Sequence, residues 1–158
     1  MARVIDLPAD QRTQRRSAEI ASLLGMPGRI PAGGLEVHDL VARGIPASAL
    51  LHAYQQVEVL RDEHAFTRIM AMSLRSLQRL RDKPSAVLAL DAGGRLWRFA
   101  EILAKAADVL GSREAAQRWL AGPVMGLDQR RPIDLLATPA GTAMVDEFLD
   151  RLDHGVYT

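Results

Sequence analysis

The chain has 158 residues, 48% of them hydrophobic, a mean hydropathy of −0.02 and a net charge of +1. That balance allows one domain, or two small helical modules sharing a core, and argues against global disorder. With no cysteine, disulfides, Cys-ligated zinc and thiol catalysis are excluded; no apolar run nears the roughly 20 residues of a bilayer-spanning helix, and Met1 to Asp6 leads into no signal-peptide core, so a cytoplasmic protein without a membrane partner is expected.

Aromatics make up only 4%, so the core must come from Leu, Ala, Val and Ile, a mixture that favours an all-α fold. Residues 1–34 begin with an Arg-rich segment, Gln11 to Arg16, followed by an apolar stripe at Ile20, Leu23 and Leu24 and then by Gly25, Pro27, Gly28 and Pro31 to Gly34. The pattern predicts a marginal helix over 14–24 between flexible ends. This segment reads as a solvated terminus, with an arm on DNA phosphates as the second reading. Leu35, Val37, Leu40 and Val41 then line a short helix stopped by Gly44. Pro46 is placed at the first position of the next one, which continues through Ala49, Leu50, Ala53 and Tyr54. His52 in that helix reads as a surface or core-edge residue.

Residues 62–81 carry the first pattern with a mechanism. Asp62 can cap a helix holding Phe66, Ile69 and Met70; a tight break at Ala71-Met72 follows; Ser73 then caps a second helix. In that second helix Leu74, Leu77 and Leu80 face inward, leaving Arg75, Ser76, Gln78 and Arg79 outward. Helix, short turn, helix with outward Arg, Gln and Ser is the grammar of a helix-turn-helix. Arg suits a guanine edge, Gln an adenine edge, and Ser a phosphate. The usual turn glycine is absent, so a helix-turn-helix kept only as scaffold is the competing reading. Charge is clustered to match: residues 61–81 hold five Arg against Asp62 and Glu63, whereas residues 82–158 hold nine basic and eleven acidic residues. A basic segment beside an acidic one suggests two partners, nucleic acid being the natural first.

After Lys83-Pro84, residues 85–90 form a short apolar connection with a possible helical turn, and Asp91 is placed to cap the next helix. There Leu96, Phe99, Leu103, Ala106, Ala107 and Leu110 trace one face, and Arg98, Glu101, Lys105 and Asp108 the other, with a Glu101–Lys105 ion pair at i, i+4. Gly111 ends it. Ser112 caps a shorter helix with Ala115, Ala116, Trp119 and Leu120 inward, and Gly122-Pro123 stops that one. A loop from Val124 to Ala137 contains a helical turn opened by Pro132. Thr138-Pro139 opens a last helix that buries Val145, Phe148, Leu149 and Leu152 and pairs Glu147 with Arg151. Gly155 closes it, leaving Val156-Tyr157-Thr158 as a tail.

No helical zinc pair of His residues, nucleophile elbow, P-loop or dinucleotide fingerprint is present. The carboxylates read as spread along solvent faces, where a catalytic pair is indistinguishable from ordinary surface charge. The chain is therefore expected to be no enzyme, and to need no cofactor or metal.

The stretches 106–120 (with A-x-x-W-L at 116–120), 131–141 (P-I-D-L-L, then T-x-x-G) and 152–157 resemble the toxin-binding domain of the Xre/MbcA/ParS group of type II antitoxins. Upstream, residues 44–50 and the helices of 62–81 are similar to the group's Xre-type helix-turn-helix half; residues 1–34 lie outside the resemblance. It implies a helix-turn-helix half packed with a helical toxin-binding domain, divided as a flexible 1–34, a helix-turn-helix and dimerisation region at 35–90, and a toxin-binding domain at 91–158. It also implies a RES-domain toxin as partner, one that consumes NAD by degradation or ADP-ribosyl transfer, together with a homodimer, operator DNA and autorepression. By that resemblance the C-terminal segment, Asp153, His154, Gly155, Val156, Tyr157 and Thr158, enters the toxin's NAD pocket, while Arg75, Ser76, Gln78 and Arg79 face DNA. Trp119 reads as a core residue, and Arg131 and Asp134 as loop-fixing residues. A transcriptional regulator without a toxin is the alternative reading.

Overall fold

The computed structural model describes residues 7–155. Its helices are α1 (Ala9–Leu24), α2 (Gly34–Arg43), α3 (Ala47–Gln56), α4 (Glu63–Met70), α5 (Leu74–Arg81), α6 (Leu90–Leu110), α7 (Arg113–Ala121), α8 (Pro132–Leu135) and α9 (Pro139–Asp153). Short 3-10 turns lie at Glu58–Arg61 and Met125–Leu127. The fold is all-α: among the described residues no strand forms, and extended pairing is confined to isolated bridges between Pro46 and Val87 and between Val124 and Arg130. No described helix is long and apolar enough to cross a membrane.

The architecture follows from α6, which runs through the middle of the molecule. α1, α2, α4, α7 and α9 all pack against it, so it is buried on more than one side. Leu96, Phe99, Leu103 and Ala106 are buried as the spacing predicts, and so are Trp97, Ala100, Ile102 and Ala104. The small side chains let neighbouring helices approach, and the large ones fill the space between them. Each fully buried Leu, Ile or Phe contributes about 1.5–3 kcal/mol, and one continuous cluster links Leu23 and Leu24 of α1 with Leu50 of α3, Phe66 of α4 and Leu149 of α9.

The polar face expected on α6 is a solvent face only in part, at Arg98. Lys105 is only 9% exposed, and its Nζ lies 2.9 Å from Asp146 Oδ1 and 2.7 Å from Asp150 Oδ1 of α9. Glu101 pairs with Arg98 instead, and Asp108 is taken by Arg16 of α1. The expected Glu101–Lys105 pair is thus replaced because α9 covers the side of α6 on which Lys105 lies. Asp91 likewise caps nothing. Ala89 is the N-cap residue, and Asp91, inside the first turn, pairs with Arg95 at 2.8 Å.

Other local readings also shift. The marginal helix over 14–24 starts five residues earlier, and its Ile20, Leu23 and Leu24 are buried. The first 34 residues are therefore not wholly a flexible segment: residues 9–24 are helix packed into the core, because α6 and α3 supply the apolar surface that α1 lacks alone. Leu35 is 75% exposed, so α2 packs through Val37, Leu40 and Val41. Pro46 is the N-cap residue of α3 rather than its first helical residue. Residues 85–89 are not helical: Leu88 donates its N–H to the Ile45 carbonyl and Ala47 donates to Ala86, clamping this link onto the start of α3. The Glu147–Arg151 pair gives way to Arg151 lying over the Phe148 ring, 5.5 Å from its centroid.

Candidate functional site

Two surfaces hold the residues singled out in the sequence. The first is the C-terminal end of α9 with the helices that carry it. Thr138 accepts the Gly141 N–H at 3.0 Å, and Pro139 occupies the first helical position, so the start of α9 is capped as its sequence requires. Gly141 belongs there for a second reason: a Cβ would sit 2.0 Å from the Leu135 carbonyl oxygen, so only glycine lets α9 lie against α8. Val145 and Leu149 are fully buried, and Phe148 stacks on Trp119 of α7 with centroids 6.0 Å apart. Trp119 is half-buried in this stack, which agrees with a packing role.

Asp153, His154 and Gly155 form the end of this helix. The Asp153 carboxylate is only 11% exposed and lies 2.5 Å from Arg12 of α1, with Arg16 at 3.9 Å. His154 is the C-cap residue, its Nδ1 lying 2.7 Å from the Asp150 carbonyl oxygen, which the Nδ1–H tautomer satisfies as donor. Gly155 takes φ +68, a left-handed conformation that suits glycine after a helix, and donates its N–H to Leu152. His154 and Gly155 are exposed. Val156, Tyr157 and Thr158 lie outside the described residues.

The base of this surface is tied to the other half of the chain by Arg131. Its guanidinium binds Asp134 through two hydrogen bonds, 2.8 and 2.9 Å, and reaches Asp62 at 3.4 Å. Asp62 is itself the N-cap of α4, accepting the Ala65 N–H. That backbone hydrogen bond, with Arg131 nearby, holds the Asp62 carboxyl below its ordinary value, and the Asp134 hydrogen bonds hold Arg131 above its own.

The second surface is α5. Ser73 caps it, accepting the Ser76 N–H at 3.1 Å, and Leu77 is buried beneath it. Arg75, Gln78 and Arg79 are exposed, and among the described residues Arg75 and Arg79 form no ion pair. Ser76 differs from the outward placement expected of it: it is half-buried, and its hydroxyl oxygen accepts a hydrogen bond from Ser73. The turn before α5 is made by Ala71 at φ 48, ψ 40, the left-handed position where a glycine would be free of strain. Ala71 therefore makes the turn between α4 and α5 at a cost of about 1 kcal/mol.

Between α2, the start of α6 and the α8–α9 turn lies a groove of about 650 Å³ whose walls include Val41, Leu90, Phe99, Leu136 and Pro139. Sequence reasoning missed it, because these residues are scattered from α2 to α9 and only their packing brings them together.

The family profile falls on the first surface, whereas the curated relatives reach beyond it. The profile of the antitoxin Xre/MbcA/ParS C-terminal toxin-binding domain matches residues 105–155. Over 141 residues the chain is 30% identical to an Antitoxin Xre of Pseudomonas putida, covering 87% of this chain and 82% of that one. An Antitoxin Xre of Yersinia enterocolitica is 35% identical over 65 residues, 40% of this chain and 44% of its own. One of Photorhabdus laumondii is 29% identical over 90 residues, 56% of this chain and 60% of its own.

Proposed function

The chain belongs to the Xre antitoxin family, and from that membership we propose that it neutralises an NAD-consuming RES-domain toxin by placing its C-terminal segment in the toxin's NAD site. In this reading residues 91–158 form the toxin-binding domain and residues 35–90 the half that faces DNA and a second copy of the chain. The observation that carries it is the closed-off end of α9. Its last turn is capped by His154 and Gly155 and held at Asp153, so the residues that follow leave from a fixed point, which lowers the ordering cost of inserting them into a partner. Tyr157 supplies a flat amphipathic ring of the kind enriched at binding hot spots. The chemistry of NAD consumption belongs to the toxin, and this chain contributes binding alone.

Deleting residues 155–158 tests the reading. The shortened chain is expected to fold and still co-purify with the toxin through residues 105–154, while cellular NAD falls when the two are co-expressed. Full rescue of toxin-expressing cells by the shortened chain would refute insertion of the tail.

A second activity, repression of its own operon, is favoured by Arg75 and Arg79 on α5, both exposed and without an ion pair among the described residues. Replacing both with Ala should weaken operator binding and flatten the slope of log affinity against log salt by about 0.9 for each phosphate no longer neutralised, leaving inhibition of the toxin unchanged. An unchanged slope and affinity would assign α5 to scaffold alone.

A further inference from the structure

The toxin-binding stretch is not self-contained. Within it, Lys105 of α6 holds Asp146 and Asp150 of α9. Asp108 and Asp153 are held from outside, by a helix that lies far upstream of the 105–155 profile match: Arg16 Nε lies 3.0 Å from Asp108, and Arg12 Nη1 2.5 Å from Asp153, 141 positions away. One turn further along α1, Glu19 accepts from Arg113 Nε at 2.5 Å, while Arg113 Nη2 donates to Ser22. Arg12, Arg16 and Glu19 stand at i, i+4 and i+7, a single stripe of α1. That stripe meets in turn the end of α9, the end of α6 and the start of α7.

Exposed ion pairs contribute little, because water and salt screen them. These are different: the Asp108 and Asp153 side chains are 9% and 11% exposed, and Arg12 and Arg16 are 21% and 29% exposed. Desolvated charges of opposite sign fix geometry strongly, and one left without its partner is costly. Leu23 and Leu24, buried in the same core as Leu103 and Leu149, fix the far end of α1 so that its cations cannot slide away.

We propose that α1 is a brace for the end of α9: Arg12, supported by Arg16, holds Asp153 and so fixes the last turn of α9, the base on which the inhibitory segment proposed above depends. Arg12 is a positioning residue, since it acts on the toxin through Asp153 at the end of α9. Asp153, singled out in the sequence as a residue that touches the toxin, then belongs to this brace. The proposal rests on insertion of the tail as argued above.

The test uses the full chain in complex with its co-purified toxin. Arg12→Ala, Asp153→Asn, the exchanged pair Arg12→Asp with Asp153→Arg, and the 155–158 deletion are compared by thermal unfolding, by affinity for the toxin and by the NAD-consuming activity left at saturating antitoxin. The two single substitutions should raise residual toxin activity about tenfold while the complex still assembles, with the exchanged pair returning most of it. Arg15→Ala, a substitution of an exposed cation 3.9 Å from Asp108, should leave it unchanged. Full inhibition by Arg12→Ala, where the deletion has lost it, overturns the brace and leaves the tail. Full inhibition by the deletion refutes tail insertion itself. Loss of inhibition matched in both single variants by loss of the folded state would also overturn the proposal, reducing the pair to a stabilising contact.

Discussion

The clearest quantitative expectation concerns Lys105, the buried cation of α6. Its side chain is 11% exposed, and its Nζ meets Asp146 Oδ1 at 2.9 Å, the Asp146 carbonyl at 3.2 Å and Asp150 Oδ1 at 2.7 Å. Breaking a wholly buried ion pair costs about 3–5 kcal/mol, because the surviving charge is stranded away from water. Here the survivors, Asp146 and Asp150, are 37% and 52% exposed, so water can take them back. The cost of Lys105→Ala is then the charge-assisted hydrogen bonds and the packing of the four-carbon stem, about 2–3 kcal/mol together. For a chain of this size that lowers the unfolding midpoint by roughly 4–12 °C. Lys105→Met, which keeps most of the stem, should cost about 1 kcal/mol less. Glu101→Gln should stay within about 0.5 kcal/mol, because its partner Arg98 is half-exposed. Urea unfolding with a constant slope is the assay. A Lys105→Ala loss under about 0.5 kcal/mol, or a Glu101→Gln loss equal to it, would refute the account of how α9 is held on α6.

Gly141→Ala should destabilise by about 1–3 kcal/mol, since its Cβ would press into backbone at Leu135 and push α9 off α8; thermal unfolding and toxin affinity should fall together. Ala71→Gly should be neutral or stabilising by up to about 1 kcal/mol, relieving the left-handed strain at the turn into α5 against the extra freedom of glycine in the unfolded chain. A clear loss of stability would place the turn geometry elsewhere. The Asp62 carboxyl titrates lower in the folded chain than in the unfolded one, so its contribution is full above the ordinary carboxylate value of about 3.9 and is lost as pH falls through its lower folded value. The stability gap between the parent and Asp62→Asn should therefore shrink as pH falls below about 4. A gap that stayed constant down to about pH 2 would mean that the carboxylate charge does nothing there.

The legibility of the sequence varies along the chain. Local signals are plain where one residue satisfies a neighbour's backbone: Asp62, Ser73, Ser112 and Thr138 all cap the helices assigned to them. The motifs A-x-x-W-L, P-I-D-L-L and T-x-x-G all lie within the 105–155 match to the family, and the structure gives reasons for parts of them. Trp119 stacks on Phe148, Asp134 is gripped by Arg131, and Gly141 admits the Leu135 backbone.

Helix existence and the apolar faces are determined by the sequence itself, because capping and 3.6-residue periodicity act over one or two turns. The destination of the polar residues is not. Lys105 reads as a solvent-facing partner of Glu101, and residues 1–34 as largely flexible, because periodicity ranks one face of a helix against another but does not say how many neighbours surround it. That α6 is enclosed by α1 and α9 follows from the packing of the whole chain. Only there do Arg12 and Asp153, at opposite ends of the sequence, come within hydrogen-bonding distance.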